Sequence, residues 1–181
     1  KHQAALAIAM LAKHEQAAPH LCAAGALHAL CAVLRESSDH MPTPTLQVAL
    51  DAIKSLYRFD PRLYLAVAKL HGAVPALVGR LRDSIHSVEP SLVAALLDAL
   101  TDLAASPPNS ALLARENAPP VVLAAMLARL EDEAVLLPAL GTLTWLSRSA
   151  APSAALVRDG AVPALFAAML MHLASAAIVR P

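Results

Sequence analysis

The sequence contains few cysteines, glycines, aromatic residues and charged residues. Of its 181 residues, two are cysteine, five are glycine, 3% are aromatic and 15% are charged. Cys22 and Cys31 are too few for a disulfide-stapled scaffold, which favours a reducing compartment. The 14 basic and 14 acidic residues give a formal net charge of zero. No overall field therefore draws the chain to nucleic acid or to an anionic membrane, and we expect a cytoplasmic protein that binds neither.

Motifs of common catalytic sites are missing as well. The sequence has no glycine-rich phosphate loop, GxSxG elbow, HExxH or CxxC. His20, Cys22, His28 and Cys31 are of the types that bind zinc, but two of them fall on one predicted helix and two on the next. These four side chains would come together only if the turn between the two helices happened to bring them close. We therefore predict no enzyme, no metal site and no cofactor.

The sequence is rich in apolar residues, which make up 57% of it, with Ala and Leu the most frequent. This composition favours helix. A short pattern, typified by Gly-Ala-Val-Pro-Ala-Leu, recurs at Gly25, Gly72, Asn117 and Gly160, at intervals of 47, 45 and 43 residues. Gly and Asn tolerate the left-handed conformation that ends a helix, and Pro is accepted in the first turn of the next. Each copy thus predicts a helix end, a sharp turn and a new helix.

This pattern resembles the armadillo repeat, in which a short first helix, a second helix and a long third helix stack into a superhelix. The resemblance implies an all-α, right-handed armadillo-type α-solenoid. A HEAT-like α-solenoid of similar period is the alternative, and the Gly-Ala-Val-Pro-Ala-Leu motif after a short helix favours armadillo. The implied organisation of the single array 1–181 is a leading third helix (1–14), three repeats (15–59, 60–106 and 107–150), and the first and second helices of a trailing repeat (151–181). We expect the chain to be part of a longer array or to meet assembly neighbours at both ends.

The resemblance also implies the approximate helix bounds. Third helices are expected at Lys1–Lys13, Thr45–Phe59, Pro90–Ala105 and Glu131–Ser149. First helices are expected at Glu15–Ala24, Pro61–His71, Ser110–Glu116 and Ser153–Asp159, and second helices ending near Arg35, Arg82, Leu130 and Leu173. Pro138 lies well inside the last long helix, so we expect that helix to kink there or to start there.

One apolar run is long enough to raise the question of a membrane span. Gly160 to Val179 contains no Asp, Glu, Lys or Arg over about twenty residues. The alternative is the last second helix followed by a turn around residues 172–175. Pro163 and His172 inside the run favour that alternative, since second and third helices of a stacked array are apolar on several sides.

In armadillo proteins the third helices line a concave groove that holds the partner. Importin-α-like adaptors and the β-catenin family carry an Asn on successive third helices, and the importin-like set adds a Trp four residues earlier. The Asn positions here are occupied by Met10, Ser55, Asp102 and Trp145, and the Trp positions by Leu6, Asp51, Asp98 and Gly141. These departures disfavour a nuclear-transport-like adaptor that clamps an extended peptide backbone.

Other side chains on the same face suit a protein partner. Asp51, Asp98 and Asp102 form an acidic stripe suited to a basic segment, and Trp145 with Arg148 is a pair typical of interface anchors. We predict a non-enzymatic scaffold that binds another protein or peptide, through this concave face or through the solenoid ends. The predicted contact residues are Gln47, Asp51, Ser55, Arg58, Asp98, Asp102, Trp145 and Arg148.

A narrower resemblance points to a second function. The run from Ile8 to His14, the following Ala23-Ala24-Gly25-Ala26-Leu27, and Asp60-Pro61-Arg62-Leu63 are similar to repeats of armadillo proteins of the ciliary central pair. This similarity implies a structural building block of a cytoskeletal or axonemal assembly. Contacts would then come from helix ends and loops, and the missing Asn array would matter little.

Overall fold

The computed structural model describes residues 2–14, 16–35, 43–59 and 73–171, and in these ranges the chain is all-helical, with no β-strand. An all-α class is therefore confirmed. The helices of the described ranges are α1 (His2–Leu11), α2 (Ala18–Ala23), α3 (Ala26–Arg35), α4 (Thr43–Phe59), α5 (Ala73–Ser84), α6 (Pro90–Ala104), α7 (Pro107–Arg115), α8 (Ala118–Leu127), α9 (Glu133–Ser147), α10 (Ala150–Arg158) and α11 (Ala161–Met171). The helix predicted at Pro61–His71 and the turn at Gly72 lie outside the described residues.

The chain divides into two compact units, and the first covers Lys1–Arg80. Its long helix α4 packs against α1, α2 and α3. Leu46, Leu50 and Leu56 of α4 are fully buried, and Leu30 of α3 is nearly so. The repeated spacing of three or four residues between buried positions places one apolar side of α4 in this core.

The second unit covers Leu81–Pro181. Its most extensive helix pairing joins α6 to α9, and α9 also packs against α8 and α10. Helix α8 is apolar nearly all round, because most of its residues are buried by neighbouring helices. Arg129, just after α8, donates from Nε to the Ile85 carbonyl at 3.3 Å and from its terminal nitrogen to the Ser87 carbonyl. These bonds hold the loop between α5 and α6 against the end of α8.

The turns at Gly25, Asn117 and Gly160 adopt the left-handed conformation that the sequence predicts. The φ angles are 79° at Gly25, 60° at Asn117 and 87° at Gly160. A side chain at such an angle places its Cβ against the following carbonyl, so Gly is favoured and Asn is tolerated. The prediction that Asn117 replaces a glycine at an equivalent turn is confirmed.

Two first helices begin earlier than predicted. Helix α7 starts at Pro107 instead of Ser110, and α10 starts at Ala150 instead of Ser153. The preceding Ser106 and Ser149 are in an extended conformation and occupy the N-cap positions. The reason is that prolines fit the first turn of a helix, where no backbone N–H needs an acceptor, so Pro107 belongs inside α7.

Helix α9 runs through Pro138 without starting there. Its N-cap is Asp132, whose Oδ1 accepts the Ala134 N–H at 3.0 Å, and Glu133 adds negative charge to the first turn. The expectation of a start at Pro138 is therefore wrong. Pro138 lacks the N–H that would bond the Ala134 carbonyl, but Ala134 is exposed, so water can serve that carbonyl.

No single helix in the described ranges is both long and apolar enough to cross a bilayer. The segment Pro152–Arg158 and helix α11 meet the criterion only as a pair, and their axes bend by 73° at the break. The part of the apolar run beyond Met171 lies outside the described residues.

The left-handed turn at residue 117 predicts opposite effects for two small substitutions. Asn117→Ala should lower the free energy of unfolding by about 1 kcal/mol, because Ala adopts the left-handed conformation less readily than Asn does. Asn117→Gly should leave the stability unchanged or raise it slightly. Chemical denaturation of the full chain, followed by circular dichroism, measures both; equal losses for Ala and Gly would show that the side chain of Asn117 matters instead of its backbone.

A buried hydroxyl at the start of α7 predicts a stabilising change. Ser110 is 1% exposed, and its Oγ has no hydrogen-bond partner among the described residues. Ser110→Ala should raise the free energy of unfolding by up to about 1 kcal/mol, since it removes a desolvated group that gains no bond. Ser153, the equivalent position of α10, is half-buried, so Ser153→Ala is the matched control and should change little. A loss of stability in Ser110→Ala would contradict this account.

Candidate protein-binding face

The eight residues predicted to contact a partner fall into two sets, one on α4 in the first unit and one on α6 and α9 in the second. On α4, Gln47, Asp51 and Ser55 follow at intervals of four residues and so share one side of the helix. Asp51 is exposed, and Gln47 and Ser55 are half-buried. Arg58 lies on the same helix, but its side chain is outside the described part of the chain.

In the second unit, Asp98 and Asp102 stand one turn apart on α6, and both are half-buried. The opposite side of the helix is apolar and buried, with Leu96, Leu100 and Leu103 at most 1% exposed. That apolar side fixes the rotation of α6. The two carboxylates are consequently held side by side on its more exposed face.

A cluster of hydroxyl and carbonyl groups joins α6 to α9. The Oγ1 atoms of Thr101 and Thr142 are 2.7 Å apart. The Thr101 hydroxyl lies 2.9 Å from the Leu97 carbonyl and 3.1 Å from the Pro138 carbonyl. The Thr142 hydroxyl lies 3.2 Å and 2.9 Å from the same two carbonyls. Each hydroxyl has one hydrogen to donate, so the two donors are shared among these acceptors across the helix pair.

Gly141 allows the two helices to approach this closely. A Cβ at this position would lie 3.3 Å from Thr101 Cγ2, which is tighter than an ordinary van der Waals contact. A larger side chain would push α9 away from α6 and lengthen the hydrogen bonds of the threonine cluster. The glycine therefore costs helix propensity but permits the contact.

Trp145 and Arg148 follow Gly141 on the same side of α9. The guanidinium carbon of Arg148 lies 4.2 Å from the centroid of the Trp145 ring, which is a cation–π contact. Trp145 is half-buried and Arg148 is exposed. The stacked guanidinium restricts the indole while its remaining surface stays accessible.

Four of the predicted residues lie on α6 and α9, the two helices that the threonine cluster joins. Asp98 and Asp102 stand three residues before and one residue after Thr101 on α6, and Trp145 lies one turn beyond Gly141 on α9. Thr101 is the residue that a side chain at Gly141 would meet, so both pairs stand close in sequence to the contact between the two helices. We refer to the four residues Asp98, Asp102, Trp145 and Arg148 as the α6–α9 face.

No protein-family model matches the chain, and no curated protein matches its sequence. The roles of the α6–α9 face therefore follow from chemistry and placement alone. Two neighbouring carboxylates attract an ammonium or guanidinium group, and a half-buried indole offers apolar surface at a low cost in side-chain entropy.

The cysteine and histidine residues near the first turn are dispersed. His20 and His28 are exposed on α2 and α3, Cys22 is half-buried, and Cys31 is buried. Across the described ranges, no three His, Cys, Asp or Glu side chains are grouped closely enough to hold a metal ion.

A charge pair lies at the end of α10. Arg158 Nε donates to Asp159 Oδ1 at 2.9 Å. This hydrogen bond and the negative charge of Asp159 raise the pKa of Arg158. Because arginine is already fully protonated at neutral pH, this shift adds no pH dependence near pH 7.

The threonine cluster was not predicted from the sequence. A glycine inside a long helix, followed by a threonine at an apolar position, was the available signal, because helical glycine often marks a close approach. Thr101, the other threonine of the cluster, has no such signal beside it in the sequence.

The threonine cluster predicts unequal effects for two substitutions on α9. Thr142 is fully buried, so Thr142→Val should lower the free energy of unfolding by about 1 kcal/mol through loss of its shared hydrogen bonds. Thr144 is exposed and bonds the Leu140 carbonyl of its own helix, so Thr144→Val should change it by less than about 0.5 kcal/mol. Denaturant titrations followed by circular dichroism measure both. Equal effects would mean that the cluster contributes nothing beyond a local bond.

Proposed function

We propose that this chain is a non-enzymatic, armadillo-type interaction module of the cytoplasm, and that its second unit binds a basic segment of a partner protein. The observation that carries the proposal is the close packing of α6, which bears Asp98 and Asp102, against α9, which bears the stacked pair of Trp145 and Arg148. The face offers charge for a Lys or Arg of the partner and an aromatic surface for an adjacent apolar side chain.

The helix lengths support an armadillo-type array within the second unit. Helices α7, α8 and α9 contain 9, 10 and 15 residues, in the short, short, long order of an armadillo repeat. The left-handed residue Asn117 separates the first two. A HEAT-like unit has two helices, so three helices per interval favour a right-handed armadillo-type solenoid.

The α6–α9 face favours recognition through side chains. Asp102 and Trp145 stand where armadillo grooves that clamp a peptide backbone carry Asn, so the side-chain amide that both donates and accepts in that mode of binding is missing at these positions. Asp98 and Asp102 instead attract a cationic side chain, and part of this attraction is screened by salt because both are only half-buried. Arg148 opposes a second cation near Trp145 and so restricts where the partner's positive charge can lie.

One observation favours a second candidate function, that of a structural building block in a cytoskeletal or axonemal assembly. Helix α11 exposes several large apolar side chains, among them Val162, Phe166 and Leu170 at 50%, 61% and 69%. Apolar residues at spacings of four form a continuous stripe along a helix. Such a stripe suits a permanent neighbour in a cytoskeletal or axonemal assembly, in addition to a groove ligand.

The proposed function is tested by selecting a displayed random-peptide library on the full chain. Peptides with Lys or Arg beside an aromatic or aliphatic residue should be enriched. Their affinity should fall by about tenfold or more in the Asp98→Lys, Asp102→Lys variant, because attraction is replaced by repulsion. Trp145→Ala should also weaken binding, and higher salt should weaken it for the wild type.

The matched control is Asp83→Lys with Glu131→Lys. Both residues are exposed in the second unit outside the α6–α9 face, and the change in net charge is the same. This control should keep the affinity, and circular dichroism should show the same helicity for all variants. If both double variants lost the same affinity for the peptides, the effect would come from net charge alone, and the proposed binding role of the α6–α9 face would be wrong.

A further inference from the structure

The second unit has an apolar groove formed by α9, α10 and α11, with a volume of about 220 Å³. The wall on α9 is formed by Leu140, Leu143, Thr144 and Ser147, and the opposite wall includes Val157 and Val162. The two valines are 65% and 50% exposed. Apolar side chains with this much exposure, lining a concave surface, mark a candidate contact site.

The chain contains a second example of the same wall, and there it is covered. Helices α6 and α9 align with an offset of 43 residues, the interval between Asn117 and Gly160. The groove residues of α9 then correspond to Leu97, Leu100, Thr101 and Ala104 of α6. The Leu97 carbonyl and the Thr101 hydroxyl both bond Thr142 of α9. The α6 wall is therefore the surface on which α9 lies.

Burial differs between the two helices mainly on this wall. Away from it the pattern repeats: Leu96 and its equivalent Ala139 are both 0% exposed, and Leu103 and Leu146 are 1% and 0% exposed. On the wall, Ala104 is 2% exposed on α6, whereas its equivalent Ser147 is exposed.

The equivalence extends to single hydrogen bonds. Thr101 Oγ1 lies 2.9 Å from the Leu97 carbonyl, and Thr144 Oγ1 lies 2.8 Å from the Leu140 carbonyl. Thr101 also bonds Thr142 across the helix pair. Thr144, which is exposed, presents the same hydroxyl and carbonyl arrangement to the groove. Thr144 of α9 therefore repeats the half of the threonine cluster that Thr101 of α6 contributes.

We propose that this groove binds an α-helix of a partner protein that has the chemistry of α9. Its contact side is apolar, with a small residue followed by Thr or Ser where α9 has Gly141 and Thr142. The small residue is required because a Cβ at Gly141 would lie 3.3 Å from Thr101, and Thr144 is the equivalent of Thr101. The hydroxyl completes the cluster with Thr144. This surface is separate from the α6–α9 face, and the proposal stands or falls independently of the proposed function.

The test is titration of the full chain into a fluorescently labelled synthetic peptide with the sequence of residues 131–149, followed by anisotropy. The peptide reproduces the helix that covers the equivalent wall. Saturable one-to-one binding is expected. Val157→Asp in the protein should weaken it by about tenfold or more, since a carboxylate is then placed against an apolar contact. Gly141→Leu in the peptide should weaken it similarly by preventing close approach.

Val88→Asp is the matched protein control, because Val88 is 97% exposed in the loop before α6 and lies outside the groove. It should bind the peptide as the wild type does. The proposal would be overturned if the peptide showed no saturable binding or if a scrambled peptide bound equally well. Equal losses of affinity for Val157→Asp and Val88→Asp would also overturn it. The proposal would also be overturned if the peptide bound only after dilution had dissociated a self-associated form of the chain. Binding only after residues 172–181 had been removed would overturn it too. The groove would then belong to a second copy or to the chain itself.

Discussion

The second unit depends on how closely α9 lies against α6. Two threonines, one on each helix, share hydrogen bonds with the carbonyls of Leu97 and Pro138, and Gly141 leaves room for Thr101. A polar contact of this kind is satisfied in one register, because a shift along the helices would separate the buried hydroxyls from their acceptors. The contact therefore sets which residues of α6 and α9 face one another.

Much of the local structure was predictable because it rests on single residues with strong backbone preferences. Gly25, Asn117 and Gly160 mark left-handed turns, and each of these turns separates two helices. The all-helical class follows from composition and periodicity. The predicted starts of α7 and α10 lie three residues too late, because the prolines before Ser110 and Ser153 already belong to the first turn of each helix.

The candidate site was predictable only in part, because the sequence shows which residues share a helix face but not which faces meet. Asp98 and Asp102 follow from a spacing of four residues. The pairing of their helix with α9, which bears Trp145, depends on the close approach that Gly141 permits and that no spacing rule supplies. The threonine cluster has the same origin: Thr101 and Thr142 are 41 positions apart and become neighbours through packing alone.

Trp145 is the single tryptophan of the sequence, and it belongs to the second unit. Its intrinsic emission therefore reports the environment of α9 and not that of the first unit. Circular dichroism, by contrast, sums the helices of both units. A difference between the two unfolding curves would show that the units lose structure at different denaturant concentrations, so this one indole separates the stability of one half of the chain from the average of the whole.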